Sequence, residues 1–416
     1  MGRKTTGLVR DLARGGDAVC ETDAGLVFAR GGLPGERVVL TDVRRRGKIS
    51  RGRIADVTES SAQRVASPCE WSTACGGCPW IHASAELQAE HKVGFLRDAI
   101  ERAGHQDPGI EWIGSPVALG YRRRARMVWG RGGRLGYRVA NSKRITDVQG
   151  CEILTPSLQE TLSWFRQKLS STLIGGGQLR VYEGADRKSV VRLEAWDGQP
   201  PEVYRALELA TTEGRVAGAG LRVQDAGAFA EWGDSREWVA HPDGEWLVGP
   251  AGGFAQANDA VAACLYERVI EWARPKGARV LELYAGSGHF TVGLARSARE
   301  VRAVEIDQSA VQAGRENLKR RGLKARWVAG ASEDYANSKG FDSVVLDPPR
   351  TGARDALSSL ILGASPRVVY VSCDTATLGR DLAELGRGGY RVEAASALDM
   401  FPQTAHLESV VLLVKD

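Results

Sequence analysis

No run of about 18 consecutive apolar residues occurs anywhere in this 416-residue chain, so no segment is suited to cross a bilayer as a helix. The start of the chain lacks the basic, apolar and small-residue succession of a secretory signal. There is no internal repeat and no low-complexity tract. Cysteine is scarce, at seven residues. These absences lead us to expect a cytoplasmic protein with no membrane attachment, and we also expect it to be a monomer. Thiols stay reduced in that compartment, so the cysteines read better as metal ligands or catalysts than as disulfides.

What is present is an ordinary globular composition, 43% hydrophobic and 26% charged. The length exceeds one typical core and implies two or three domains. Fifty glycines point to many tight turns. The net charge is only +5, but it is unevenly spread. Arg44, Arg45, Arg46, Lys48, Arg51 and Arg53 form one basic cluster. Arg122, Arg123, Arg124, Arg126, Arg131 and Arg134 form another, interleaved with Tyr121, Trp129 and Tyr137. Arginines suit phosphates and aromatic faces suit unpaired bases, although a solvated sheet face would read the same way.

Residues 1–57 alternate apolar and polar positions between glycine-rich turns and read as a small β-module. Residues 58–250 read as a mixed α+β middle domain, opening with a cysteine-bearing segment and a helix from Ser84 to Ala103. From 251 to 416, strands alternate with helices, the signature of a parallel, doubly wound α/β sheet. The last two strands, "YRVEAASALD" and "LESVVLLVKD", lie close enough in sequence to form a terminal hairpin on it.

Motifs fall at the exits of those strands. In "VLELYAGSGHF" an apolar strand runs into Gly286-Ser287-Gly288 and then a helix, with Glu305 closing the next strand. This unit suits a nucleoside-containing cofactor: glycines admit close backbone approach, helix N–H groups are free, and the acid accepts from ribose hydroxyls. The loop carries two glycines, not the three of a pyrophosphate site, and follows Glu282 and Tyr284; in this form it resembles class I S-adenosylmethionine-dependent methyltransferases more than dehydrogenases. In "LDPPR", two prolines stiffen the loop after Asp347, with a methyl-accepting carbon or an exocyclic amine both open as targets. Cys373 leaves strand "RVVYVS" beside a helix start, where a thiolate is favoured. Glu408 enters a long apolar strand, where burial would raise its pKa and suit it to proton abstraction. Cys69, Cys75 and Cys78 form C-x5-C-x2-C, with Cys151 distant. Four thiolates suit either a [4Fe–4S] cluster or zinc, and the lack of two C-x2-C pairs favours the cluster. Cys20 and Cys264 have no motif around them and read as packing residues.

Taken together, these residues resemble the RNA (uracil-5-)-methyltransferase family, its ribosomal-RNA branch in particular, over nearly the whole chain. The resemblance implies a Rossmann-like class I methyltransferase domain at the C-terminus and an N-terminal OB-like RNA-binding barrel of the TRAM type. It implies a [4Fe–4S] cluster on Cys69, Cys75, Cys78 and Cys151. It implies S-adenosylmethionine bound by Gln256, Tyr284, Gly286, Glu305 and Asp347. It assigns Cys373 as the nucleophile on carbon 6 of uracil and Glu408 as the base that removes the proton from carbon 5. It raises the arginine clusters to expected RNA contacts, with 23S ribosomal RNA favoured over tRNA as substrate. An amino-directed nucleic-acid methyltransferase using "DPPR" and a non-catalytic RNA-binding protein are the rival readings. Three positions depart from the pattern. Asp374-Thr375 follows the nucleophile where Asn-Pro is common, and an acid there disfavours the thiolate unless it is turned away or hydrogen-bonded. His289 replaces a common asparagine, and Ala331 replaces a polar cofactor ligand found in some relatives.

Overall fold

The computed structural model describes residues 4–224 and 229–415. Strands β1 (Thr5–Leu12), β2 (Ala18–Thr22), β3 (Gly25–Arg30), β4 (Arg37–Arg46) and β5 (Ile49–Glu59) close into a barrel in the order β1-β2-β3-β5-β4. β3 runs parallel to β5, and β1 closes antiparallel on β4, the OB-like arrangement. Alternate residues fill the interior, among them Val9, Leu12, Ala18, Cys20, Val27 and Leu40. Cys20 is fully buried there, a packing residue as its lack of motif implied. The β4–β5 hairpin carries Arg44, Arg45, Arg46 and Lys48 into solvent.

Helix α1 (Ala85–Arg102) starts where Ser84 accepts a hydrogen bond from the Leu87 N–H, a side-chain N-cap. Strand β6 (Ile110–Ile113) follows. The central sheet comprises β7 (Arg124–Gly130), β8 (Arg134–Arg138), β9 (Ile145–Asp147), β10 (Gly177–Glu183), β11 (Ser189–Ala195), β12 (Gly218–Val223) and β13 (Phe229–Gly233). Its order is β13-β12-β11-β10-β7-β8-β9, antiparallel except where β11 and β12 run parallel. Helices α2 (Pro156–Lys168) and α3 (Pro201–Thr212) bury Leu158, Leu162, Phe165, Val203 and Leu207 against it. A ribbon of β14 (Glu237–Ala240) and β15 (Trp246–Gly249) leads to the C-terminal sheet.

That sheet contains β16 (Arg279–Leu283), β17 (Glu300–Glu305), β18 (Arg326–Ala329), β19 (Ser343–Leu346), β20 (Arg367–Ser372), β21 (Tyr390–Leu398) and β22 (Glu408–Lys415). The intervening helices are α4 (Asp259–Ala273), α5 (His289–Ala295), α6 (Gln308–Arg320), α7 (Ser332–Tyr335), α8 (Arg354–Gly363) and α9 (Thr375–Arg387). The strand order is β18-β17-β16-β19-β20-β22-β21-β6. β16 to β20 are mutually parallel, and β22 is antiparallel to both neighbours, so the expected terminal hairpin is present. Central strands buried on both faces read as continuous apolar runs, and β19 and β20 do so. Strand order reverses between β16 and β19, and ligands bind at the carboxyl ends beside such a switch.

Residues 85–113 attach to this sheet, although they fall within the stretch read from sequence as the middle domain. β6 pairs parallel with β21, and α1 packs on α9. Gly379 permits the helix contact: a Cβ there would stand 3.1 Å from the Ala99 carbonyl. The fully buried Lys92 ammonium on α1 donates to Asp399 Oδ1 at 2.6 Å and to the Phe401 carbonyl at 3.1 Å, tying α1 to the loop before Glu408. Among the described residues, no helix is long and apolar enough to cross a membrane.

Candidate active site

The turn from β16 into α5 is tight. Tyr284, Gly286 and Gly288 all adopt positive φ, at 61°, 54° and 89°. Glycine meets that demand without strain, whereas Tyr284 holds it at a cost. The Glu305 carboxylate, at the exit of β17, fixes the turn: Oε2 accepts from the Gly286 N–H at 2.8 Å and Oε1 from the Asp307 N–H at 2.8 Å. The Tyr284 N–H donates to Ser332 Oγ at 3.2 Å. Glu282 is almost fully buried beneath the turn and accepts from Thr291 Oγ1 at 2.6 Å. Burial pushes its carboxyl up to about 8. Gln256 is buried in the loop entering α4, which Asn258 caps by accepting from the Val261 N–H.

Three further strands, β19, β20 and β22, supply the candidate reactive groups. Asp347 follows β19, Cys373 follows β20, and Glu408 opens β22 beside it, with Ser372 and Ser409 in register. Burial, followed by the nearby Glu408 and Asp347 carboxylates, raises the Cys373 thiol to about 11. The Arg350 guanidinium nearby opposes them. Glu408 is 3% exposed. Burial and then the Asp347 charge hold its carboxyl well above the usual carboxylate range, with Arg350 again opposing. Burial raises Asp347 to about 7. The structure therefore gathers Asp347, Cys373 and Glu408 into one electrostatic neighbourhood with Arg350 as its cation. A cleft of about 150 Å³ opens there, lined by Arg350, Cys373, Asp374, His406 and Phe95, with Arg14 at its edge. Pockets for drug-sized ligands run to roughly 300–1,000 Å³, so this one is sized for a single small ring.

Behind the cleft the "DPPR" loop is clamped. Asp381, fully buried on α9, accepts from the Ala353 N–H at 2.7 Å and the Tyr370 hydroxyl at 2.6 Å. Arg380 donates to the Thr351 carbonyl at 2.8 Å. Sequence reasoning quoted Arg350 within its motif yet gave it no role. The signal available was its place three residues after Asp347 at a strand exit. Ser332 carried no signal, because its partner Tyr284 lies 48 positions away.

The three departures resolve separately. Asp374 turns to its own helix, its Oδ1 accepting from the Ala376 and Thr377 N–H groups at 2.9 and 3.0 Å. It thereby occupies the helix N-terminus that was expected to favour the thiolate, and that expectation is corrected by the raised thiol. His289 points away from the turn and packs against His241 at 5.4 Å and Phe290 at 5.0 Å. Burial lowers its imidazole to about 3. Ala331 precedes the short α7, and the next residue, Ser332, supplies the side-chain oxygen.

Cys69, Cys75, Cys78 and Cys151 line a separate, mostly apolar cavity of about 50 Å³ with Trp71, Tyr137 and Arg122. The Gly77 N–H donates to Cys75 Sγ at 3.3 Å. Among the described residues, no group of three or more His, Cys, Asp or Glu side chains is arranged to hold a metal ion.

Within the second arginine cluster, Arg123 and Arg124 are structural, a correction to their reading as RNA-facing residues. Arg123 is 1% exposed and pairs with Glu237 at 3.4 Å and Asp259 at 3.0 Å. Arg124 donates to the Gly253 and Ala255 carbonyls, both at 2.7 Å. Tyr121 and Trp129 are buried. Arg126, Arg131 and Arg134 remain exposed. Strand alternation sends every second residue inward, and a run of arginines cannot escape that period.

With this geometry established, the chain was compared with known proteins. A family model described as tRNA (Uracil-5-)-methyltransferase matches residues 249–339 and 331–416. The chain is 34% identical to the 23S rRNA (uracil(1939)-C(5))-methyltransferase RlmD of Halomonas elongata, over 98% of this chain and 88% of that protein. It is 33% identical to the protein of that name from Alkalilimnicola ehrlichii, over 100% of this chain and 99% of the relative. Among solved structures, the Pyrococcus abyssi tRNA (uracil-54, C5)-methyltransferase in complex with S-adenosyl-L-homocysteine matches with a TM-score of 0.78 at 23% identity, covering 98% of this chain and 100% of that one. That likeness shows the shared fold, and the full-length curated relatives show more: the chain belongs to the RNA (uracil-5-)-methyltransferase family.

Proposed function

We propose that this protein transfers a methyl group from S-adenosylmethionine to carbon 5 of a uridine in 23S ribosomal RNA. The observation that carries the reading is the convergence of Cys373, Glu408, Asp347 and Arg350 beside the switch point of the sheet. Ribosomal RNA is favoured over tRNA because the relatives alike over the whole chain are named for 23S rRNA. Such a target accords with work in the cytoplasm.

Gln256, Tyr284, Gly286, Glu305 and Asp347 would hold the cofactor, with Glu305 offering its remaining lone pairs to the ribose. Bound S-adenosylmethionine supplies an electrophilic methyl on a sulfonium and departs as the neutral thioether. The chain's own groups make the uracil able to accept it. The Cys373 thiolate adds to carbon 6, and the displaced π pair makes carbon 5 enolate-like. Arg350 stabilises that thiolate against the two carboxyls. Once carbon 5 bears its methyl, Glu408 takes the proton still on it. The released pair re-forms the double bond between carbons 5 and 6 and expels Cys373. The uridine must leave its stack to enter the cleft.

Cys69, Cys75, Cys78 and Cys151 would hold a [4Fe–4S] cluster. In support, the four cysteines line one cavity, and the Gly77 N–H donates to the Cys75 sulfur at 3.3 Å. The cluster's part is to tie the segment around Cys75 to that around Cys151. The TRAM-like barrel, with its basic β4–β5 hairpin, would grip RNA.

The deciding experiment maps 5-methyluridine in ribosomal RNA with and without the protein and follows tritium release from 5-tritiated uridine RNA. Cys373→Ala should release none. Glu408→Gln should accumulate a denaturation-stable protein–RNA adduct with the methyl already in place. Undiminished turnover by Cys373→Ala would favour an amino-directed enzyme. RNA binding without any tritium release by the wild type would mark a non-catalytic binder.

A further inference from the structure

The β1–β2 turn brings an arginine from the barrel into the catalytic cleft. Within residues 13–17, the Ala13 N–H donates to the Asp17 carbonyl and the Gly16 N–H to the Ala13 carbonyl, both at 2.8 Å. Gly16 has φ +85°, and a Cβ there would stand 2.7 Å from Pro79 Cγ and 3.7 Å from Ala405 Cβ. The turn is thus wedged between Pro79 and Ala405, and Ala405 lies on the segment that runs directly into Glu408. Backbone contact of this kind fixes the turn relative to the reactive groups.

Arg14 stands at the tip, half-exposed, and lines the same cleft as Cys373, Arg350 and His406. Among the described residues, its guanidinium has neither an ion-pair partner nor a hydrogen bond. Arg350, Lys92 and Arg122 all act on His406, and Asp374 is the one acid opposing them. Asp374 has already committed an oxygen to the N–H groups of α9. Lys92 is neutralised by Asp399, and Arg350 serves Cys373. Arg14 is left as a cation without a partner at the rim. A guanidinium so placed matches a phosphate, which it can grip with two parallel N–H donors. A nucleotide rotated out of its stack into a cleft this small must carry its flanking phosphates past that rim.

We propose that Arg14 grips a phosphodiester of the substrate RNA adjoining the uridine that enters the cleft, so that barrel and methyltransferase sheet close on one nucleotide together. This proposal rests on the RNA uridine methyltransferase reading above. Neither basic cluster of the sequence contains Arg14, and only the packing of the turn against Ala405 assigns it to the cleft.

The test uses the full chain and a 23S rRNA fragment bearing the uridine named in the relatives. The fragment is made with ordinary linkages or with one neutral methylphosphonate on either side of that uridine. Arg14→Ala should raise KM for the ordinary fragment about tenfold, and by more than it lowers kcat. It should also reduce the slope of log affinity against log salt by about 0.7–0.9, the share of one phosphate. Arg14→Lys should retain the slope. At one of the two linkages, the neutral substitution should erase the difference between wild type and Arg14→Ala. Equal slopes for wild type and Arg14→Ala, or penalties that multiply independently at both linkages, would overturn the proposal. Failure of the wild type to methylate uridine in any RNA would instead reject the reading beneath it.

Discussion

Asp374 and Cys373 are adjacent in the chain, yet their side chains serve different structures. The Asp374 carboxylate accepts from the Ala376 and Thr377 N–H groups at 2.9 and 3.0 Å and caps α9. Cys373 lines the cleft under Arg350. An acid that the sequence sets beside the candidate nucleophile instead builds the helix that follows it.

Replacing that cap separates its two possible effects. Asp374→Ala should cost about 1 kcal/mol of stability, and Asp374→Asn much less, since both Asp and Asn cap well. Urea unfolding reads this directly. An unchanged stability in Asp374→Ala, together with a thiol pKa lowered by a full unit, would mean that the carboxylate faces the sulfur.

Arg350 lowers the thiol pKa, so its removal should do the reverse. In Arg350→Met the Cys373 thiol should titrate higher, and each unit of rise leaves about one-tenth of the thiolate at a given pH. Iodoacetamide alkylation of residue 373, followed against pH by mass spectrometry, should slow accordingly, with methyl transfer falling in parallel. Faster alkylation would remove Arg350 from its assigned role.

Glu282 predicts a pH dependence of stability. Its carboxyl ionises near 4.5 when unfolded and near 8 in the fold, where burial dominates. The native state then binds more protons than the unfolded state across that window, so stability falls as pH rises through it. The contribution is fully present below pH 4.5 and is lost by about pH 8. Glu282→Gln, which can still accept from Thr291, should match the wild type near the acid end and exceed it progressively towards alkaline pH. Denaturation curves at several pH values that stay parallel for the two proteins would contradict this.

Arg123 should behave as a structural residue despite lying in a basic run. Breaking its buried pairs with Glu237 and Asp259 by Arg123→Met should cost about 3–5 kcal/mol. The salt slope of RNA binding should stay at the wild-type value in the fraction that folds. A normal unfolding midpoint combined with a reduced slope would return Arg123 to the RNA interface.

The cysteine cavity makes a spectroscopic prediction. Protein purified without air should show the broad visible absorbance of an iron–sulfur cluster, and either Cys75→Ala or Cys151→Ala should abolish it, while Cys373→Ala should not. Stoichiometric zinc and no iron in the colourless wild type would reject the cluster.

The sequence by itself determined the architecture and nominated the candidate site residues along it. Apolar runs at strand and helix periods define the barrel and the doubly wound sheet, since each depends on local pattern. Cys373, Glu408, Asp347 and Glu305 were legible as candidates because strand exits on a parallel sheet point to one edge. The tertiary structure decided what depends on which groups meet across long stretches of chain. It turned Asp374 to its helix and His289 into the interior, buried Arg123 and Tyr121, and set Arg350 against Cys373. It also carried Arg14 from the barrel to the cleft. Charge and burial act through distance in space, and residues separated by hundreds of positions acquire that distance only when the domains pack.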